Sequence, residues 1–393
     1  MEMDFERRCW AEIDLDRLRK NFALIQKQAG NAVVMAVVKA NAYGHGDVAA
    51  VRAMESAGAR YFAVSGLAEA VRLRRAGIAQ PILVLGYTSP QHAQLLALHG
   101  IQQCVFSIDY ARQLSAAAAA AGVTLLTHIK VDTGMARLGF CAKDDMETAL
   151  GELQEATKLP GLEPVGIFTH FAVADSIEPD DIAYTQTQFA LFEEVCTRLA
   201  VGGISFRYRH SCNSAGFVTQ PAMHLNLVRP GIILYGCNPS PEVQLPGLKP
   251  AFSLKTVVTM VKTLKKGDDI SYGRTFTAPQ DMRVATLAVG YADGYPRLLS
   301  GRGVVGIHGQ PAKLLGRVCM DQVVVDITHI PNVHLGDVAT VFGGGGADSV
   351  DEVAAKCGTI NYEILCNIGR RVQRVYTEDG QETMLADYME ELR

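Results

Sequence analysis

Several features are missing from this 393-residue chain, and each absence narrows what it can be. No stretch approaches the roughly 18 consecutive apolar residues that a membrane-spanning helix needs. Neither sign of charge dominates: 37 basic against 41 acidic residues leave a net charge of −4, so no nucleic-acid-binding tail or membrane-surface patch is expected. The nine cysteines include no C-x-x-C pair. Neither a zinc site nor a disulfide framework is indicated, no metal is expected, and free thiols fit a reducing cytoplasm. The first ten residues are charged and lack an apolar core, so no secretory signal is expected. There is a single tryptophan, Trp10, which reads as packing.

What is present is ordinary soluble-enzyme material, 48% hydrophobic and 20% charged, long enough for one barrel-sized domain and a smaller one. Short apolar runs alternate with helical patterns up to about residue 240. Candidate strands are Val33–Lys39, Tyr61–Ser65, Ile82–Gly86, Gln103–Ser107, Thr124–Asp132, Val165–Phe171, Ser205–His210 and Leu225–Arg229. Amphipathic or alanine-rich segments lie between them, among them Asp47–Ala57, Leu67–Ala76 and Tyr110–Ala121. This alternation predicts an α/β protein whose N-terminal domain is a TIM-type (β/α)8 barrel. A doubly wound sheet is the rival, but no G-x-G-x-x-G follows any of these strands. After the Pro- and Gly-rich stretch Asn238–Pro250, β-type runs take over: Leu254–Leu264, Val284–Gly290, Val304–His308, Gln322–Ile327 and Val338–Phe342. One helix, Val350–Cys357, precedes a final segment, Asn361–Tyr376. The expected division is residues 1–240 for the barrel and 241–393 for a mainly β domain, with the first ten or so residues packing on the latter.

A TIM barrel collects its reactive groups at the C-terminal ends of its strands. Lys39, Lys130, Arg137, His170, Asn213, Ser214 and Arg229 all fall there. Lys39 closes the apolar run Ala32–Val38 and opens the loop Ala40-Asn41-Ala42-Tyr43-Gly44-His45-Gly46. A lone lysine in such a place is most often just reaching for solvent. The whole run VVKANAYGHG, however, resembles the cofactor-attachment segment of bacterial alanine racemases, and further motifs match in order as far as Tyr362.

The resemblance implies a dimeric enzyme interconverting L- and D-alanine for peptidoglycan, with pyridoxal 5'-phosphate (PLP) held on Lys39. It implies two bases on opposite faces of the α-carbon, Lys39 and Tyr272, the latter within Ile270-Ser271-Tyr272-Gly273-Arg274 and reaching the barrel of the partner chain. For the cofactor it implies Tyr43, His170, Asn213, Ser214, Arg229, Gly231, Ile232 and Tyr362. Arg229 faces the pyridine nitrogen, and hydroxyls and backbone amides suit the phosphate. Ser214 as a plain helix cap is the simpler reading of that serine. Arg137, within Lys130-Val131-Asp132-Thr133-Gly134-Met135-Ala136-Arg137, matches the arginine that steers the substrate carboxylate, and Lys130 matches a lysine that some relatives carry carbamylated. Met320 and Asp321 match a segment contacting the substrate from the second domain, and Tyr291 and Tyr362 match tyrosines that narrow the entrance. His92, His99, His224 and His308 are left as solvated or locally satisfied residues.

Three alternatives stand beside this reading. A serine or broad-specificity racemase would use the same scaffold, and rejecting one extra hydroxyl by size is weak discrimination. A barrel-type PLP decarboxylase brings a catalytic cysteine in a setting that Cys319, Cys357 and Cys366 do not match. A non-catalytic PLP-binding barrel lacks a second domain.

Overall fold

The chain, described here from a computed structural model over residues 7–386, divides into two compact units. One holds residues 18–42 and 50–249; the other gathers residues 7–17, 43–49 and 250–386.

The first unit is a parallel barrel. Its strands are Val33–Val37, Tyr61–Val64, Ile82–Val84, Ile101–Val105, Leu125–Asp132, Leu162–Phe168, Tyr208–His210 and Leu227–Val228, paired in chain order with the last returning to the first. Residues such as Met35, Ala36, Ile82, Leu83 and Ile129 are almost fully buried, as a sheet covered on both faces requires. No ladder joins the seventh strand to the eighth. The carboxamide of Asn226 bridges that seam instead, accepting from Arg209 N and donating to Arg207 O, both at 2.8 Å. Beyond it Arg229 N donates to Cys212 O at 3.0 Å, so the backbone groups of the gap find partners.

The alanine-rich stretch lies in the helix Ile108–Ala120. It buries Ile108, Ala111, Leu114, Ser115 and Ala118, one stripe at helical spacing, and Ser107 Oγ caps it by accepting from Tyr110 N. All eight expected barrel strands are present, with ends shifted by a few residues. One shift matters: the first strand stops at Val37, so Lys39 lies beyond the strand, not at its end.

The second unit is built on one large sheet. The strand Phe252–Leu264 pairs with Val338–Phe342 and, through a bulge between Val258 and Met260, with Met282–Leu287. Val304–Ile307, Gln310–Leu315 and Val323–Asp326 complete a closed ring of six strands. Leu264, Ile270, Ala278, Met282, Val284 and Leu315 pack in one of its cores. Cys9–Asp14 extends the sheet, antiparallel to Phe252–Leu264 and parallel to Gln373–Glu378. The helix Val350–Cys357 starts at a capping box between Ser349 and Glu352. The final segment is not one element: Asn361–Cys366 is a short helix, followed by the strand Gln373–Glu378. Among the described residues no helix is long and apolar enough to cross a membrane.

Candidate active site

Past Val37 the chain does something unusual. Ala40, Asn41, Ala42 and Tyr43 all have φ between 52° and 54°, one turn of left-handed helix directly after Lys39. Each such residue costs roughly 1–2 kcal/mol. The turn is pinned by Glu69, whose Oε1 accepts from Ala40 N at 2.6 Å. Its Oε2 accepts from Ser65 N and Gly66 N at the start of the helix Leu67–Arg75. One carboxylate thus holds the lysine turn and a helix N-terminus together. Glu69→Ala is expected to lower stability by about 1–3 kcal/mol, because three amides lose an acceptor. A urea midpoint and slope equal to those of the unchanged protein would refute this role.

Arg229 is the centre of the barrel rim. Arg229 is 4% exposed, yet its guanidinium meets no carboxylate among the described residues. Nη2 donates to Thr169 O at 2.8 Å, Ser211 O at 3.0 Å and His170 Nδ1 at 3.2 Å, and Nη1 donates to His210 Nδ1 at 2.8 Å. The group also sits 5.1 Å over the ring of Phe168. Burial pulls its pKa down to about 10, and it remains a cation at neutral pH. Burial, then the charges of Arg229, Lys130, Arg137 and Lys39, hold His170 well below the usual imidazole range. Arg229 thus donates directly to a neutral histidine that also feels the charge of Lys130, Arg137 and Lys39. Lys130 is 5% exposed, and burial chiefly lowers its amine to about 8.

The only carboxylate in the loop carrying Arg137 is already committed. Asp132 Oδ1 accepts from Gly134 N and Ala136 N, and Oδ2 from Arg137 N, at 2.8, 3.1 and 3.2 Å. Gly139 closes this loop at φ 137°, where an added Cβ would lie 2.5 Å from Asp132 N. The Arg137 side chain projects from the loop into solvent. The cap of the helix Ser214–Thr219 is Asn213, not Ser214: Asn213 Oδ1 accepts from Gly216 N at 2.8 Å. Ser214 Oγ instead accepts from Gly231 N at 2.8 Å, tying two stretches expected to cradle phosphate to each other. Ile232 is buried and begins the 3-10 turn Ile232–Tyr235.

The second unit carries its own cluster. Ser271, Tyr272, Gly273, Cys319, Met320, Asp321 and Gln322 line a cavity of about 600 Å³. Tyr272 sits on a strained turn, between Ser271 at φ 62° and Arg274 at φ 50°, a left-handed conformation uncommon for residues other than glycine. It is 69% exposed; Met320 is 53% and Tyr291 42% exposed. Tyr291 N and Ala292 N both donate at 3.0 Å, to Cys319 O and Met320 O, which fixes the tyrosine against the cavity wall. Asp321 is ion-paired to Arg371 at 2.6 Å. Being an anion, it suits a substrate carboxylate only through backbone N–H groups. Tyr43 is buried in this unit, its ring centroid 6.0 Å from that of Tyr362 and tilted by 52°. Burial raises the Tyr43 phenol far above its ordinary range.

Several residues here were not singled out from the sequence. Glu69 and Asp132 bind only backbone amides, so their partners follow from chain path. Asp293, fully buried, receives Arg371 at 2.7 Å and Gly290 N at 2.9 Å and so supports both Tyr291 and Asp321. Its one sequence signal was a position next to a Gly-Tyr turn. Among the described residues no cluster of His, Cys, Asp and Glu is placed to hold a metal ion.

Comparison with known proteins adds to this geometry. The family model for the alanine racemase N-terminal domain matches residues 13–239, and that for the alanine racemase C-terminal domain matches residues 251–376. An alanine racemase of Desulforamulus reducens is 47% identical over 370 residues, covering 93% of this chain and 98% of the relative. The solved alanine racemase of Clostridium difficile 630 superposes with a TM-score of 0.92 at 36% identity, covering 98% of this chain and 100% of its own. The same protein solved in complex with cycloserine gives a TM-score of 0.90 at 35% identity, with the same coverage.

Proposed function

This chain belongs to the alanine racemase family, a family of isomerases, and from that premise we propose that it interconverts L- and D-alanine with PLP held on Lys39. The observation that carries the cofactor reading is Arg229, a buried cation without a carboxylate partner. Its Nε has no partner among the described residues, which leaves a donor for an acceptor such as a pyridine nitrogen. The surrounding surplus of positive charge, with Asp132 already occupied by amides, suits a group bearing a phosphate and a substrate bearing a carboxylate. When bound, the cofactor supplies an electron sink that acidifies the α-carbon of the amino acid joined to it.

The chain's own residues do the rest. Arg137 orients the substrate carboxylate from the barrel rim, and the backbone at Met320 and Asp321 meets it from the second unit of a partner copy. Lys39 moves the α-proton on one face, and Tyr272 moves it on the other. Tyr272 reaches the barrel of a second copy, so that each site is completed by its partner. Arg229 can only donate, so it would hold the cofactor's ring nitrogen as a hydrogen-bond acceptor, a partner that favours returning the proton to the α-carbon over other outcomes. His170, accepting from Arg229 at Nδ1, keeps its proton on Nε2 and presents a donor to the tyrosine. Tyr43, Ser214, Asn213, Gly231 and Ile232 shape the cofactor bed, and Tyr291 and Tyr362 narrow the entrance to a methyl-sized substrate. The setting is the cytoplasm, where nine free thiols persist and D-alanine feeds peptidoglycan synthesis.

Racemisation rates of L-alanine and L-serine, followed side by side on the holoprotein, test this. Alanine is expected to be preferred by about 10-fold or more, the scale of a steric penalty for one added atom. Equal rates would make this a broad-specificity racemase, and no α-proton exchange with either amino acid would refute the racemase reading.

Lys130 gives a pH-dependent test. With its amine lowered to about 8, roughly a tenth is neutral near pH 7, against less than about a thousandth for an ordinary lysine. Only the neutral amine adds carbon dioxide, and the resulting carbamate would attract Arg137 where an ammonium repels it. Protein equilibrated with 13C-bicarbonate is therefore expected to show a carbamate signal that weakens as pH falls below 8 and vanishes in Lys130→Arg. A signal unaffected by that substitution would assign the carbamate elsewhere.

A further inference from the structure

Behind Arg229 a chain of polar side chains runs through the interior of the barrel, beyond any residue that meets substrate or cofactor. His210 Nε2 lies 2.8 Å from His128 Nδ1, and His128 Nε2 lies 2.8 Å from the Tyr61 phenol, which donates to Gln102 Oε1. Tyr61, His128 and His210 are at most 2% exposed, and Gln102 is 6% exposed.

The direction of every bond follows from its head. Arg229 has no acceptor, so His210 must accept at Nδ1. A neutral imidazole carries one proton, which then lies on Nε2 and is donated to His128 Nδ1. The same logic puts the His128 proton on Nε2, where it is donated to the Tyr61 oxygen. The phenolic hydrogen is left to Gln102 Oε1, a pure acceptor that ends the run. Reversing any one bond would set two hydrogens face to face at 2.8 Å.

The rings are held flat in this arrangement. His210 stacks on Phe168 with centroids 4.7 Å apart and planes within 5°, and His128 stacks on Tyr208 at 5.9 Å and 13°. Gly166 makes room for His128: a Cβ there would lie 2.2 Å from His128 Nδ1. Neither imidazole is a cation. Burial, then Arg229, lowers His128 to about 3, and the same two causes push His210 well below the ordinary range.

We propose that Gln102, Tyr61 and His128 are positioning residues, a one-way hydrogen-bond relay that locks His210 in its Nε2–H tautomer and so holds Arg229 protonated and fixed in orientation. Its bearing on catalysis rests on the reading of Arg229 as the cofactor's ring partner. The relay itself is a property of the protein alone. Without the acceptor at its tail, the Tyr61 hydrogen turns to His128 Nε2. His128 then becomes Nδ1–H, opposes the His210 proton, and loosens the contact with Arg229.

The test is solid-state 15N NMR of the histidine-labelled holoprotein, which separates the two tautomers and the cation. The unchanged protein is expected to show His128 and His210 both neutral and both Nε2–H at neutral pH. In Gln102→Leu, His128 is expected to shift toward Nδ1–H, with kcat/KM for alanine falling about tenfold, the loss of one buried hydrogen bond. Gly166→Ala displaces the His128 ring without removing a polar group, and should disturb the His210 signals in the same way. Finding either histidine cationic or Nδ1–H in the unchanged protein would overturn the relay. So would His210 signals indifferent to both variants. A protein that takes up no PLP would instead overturn the functional reading, while the tautomer spectrum still decides the relay.

Discussion

Replacing Lys39 by alanine is expected to lower racemisation by more than about 10⁴-fold, the combined effect of losing a covalent attachment and a proton-transfer base. The fold should survive. The side chain is only half-buried, and the left-handed turn behind it is pinned through the Ala40 amide by Glu69, which the substitution leaves in place. The variant should lose the yellow colour of the holoprotein on gel filtration, and borohydride should no longer fix the cofactor to the chain. Lys130 is the credible competitor. Its amine, lowered to about 8, is a good nucleophile at neutral pH and lies on the same rim. But it is buried, 5.8 Å over the ring of Phe168 and close enough to Arg137 and Arg229 to feel their charge. Lys39 is the more open to an incoming aldehyde. Peptide mapping of the borohydride-reduced holoprotein decides between them. An adduct on Lys130, or activity in Lys39→Ala within tenfold of the unchanged protein, would end the assignment.

Much of this architecture could be read from the chain alone, and the reasons are local. A parallel barrel strand is buried on both faces, so it appears as an uninterrupted apolar run, and the rim residues follow such runs directly. What escaped reading depends on distant partners or on polar residues within strands. Cys9–Asp14 pairs with residues more than 200 positions away, and nothing nearby marks it as a strand. Gln310–Leu315 opens on a half-buried Gln310 and carries Pro311 and Lys313 on its exposed side, which masks the alternation of Ala312 and Leu314 facing inward. The relay had a signal that went unused. Tyr61, Gln102, His128 and His210 are buried polar residues set inside or at the ends of barrel strands, and the large majority of such groups are hydrogen-bonded. The helix cap was a choice between neighbours: Asn213 and Ser214 both suit the role, and only the chain path showed Ser214 turning toward Gly231.

Two inactive variants are expected to restore each other when mixed. The unit bearing Tyr272 leaves that tyrosine, Met320 and Tyr291 largely open to solvent around a cavity of about 600 Å³. A base in that state is neither dry nor held, and exposed side chains as large as Tyr272, Met320 and Tyr291 on one face invite a covering surface. We take the cover to be the barrel rim of a second copy. A twofold dimer repeats the contact, so each site would join one chain's Lys39 to the other chain's Tyr272. Lys39→Ala and Tyr272→Phe protein should each be nearly inactive alone. In a mixed dimer one site collects both defects and the other has neither. Random exchange makes about half of the dimers mixed, so about a quarter of all sites should regain full activity. If Lys39 and Tyr272 of one chain served the same site, every site would keep one defect whatever the mixing. Native mass spectrometry on differently tagged chains reports the exchange independently of activity. Verified exchange with no recovered D-alanine formation would sink the shared-site model, and recovery near a quarter is what a site built from two chains requires.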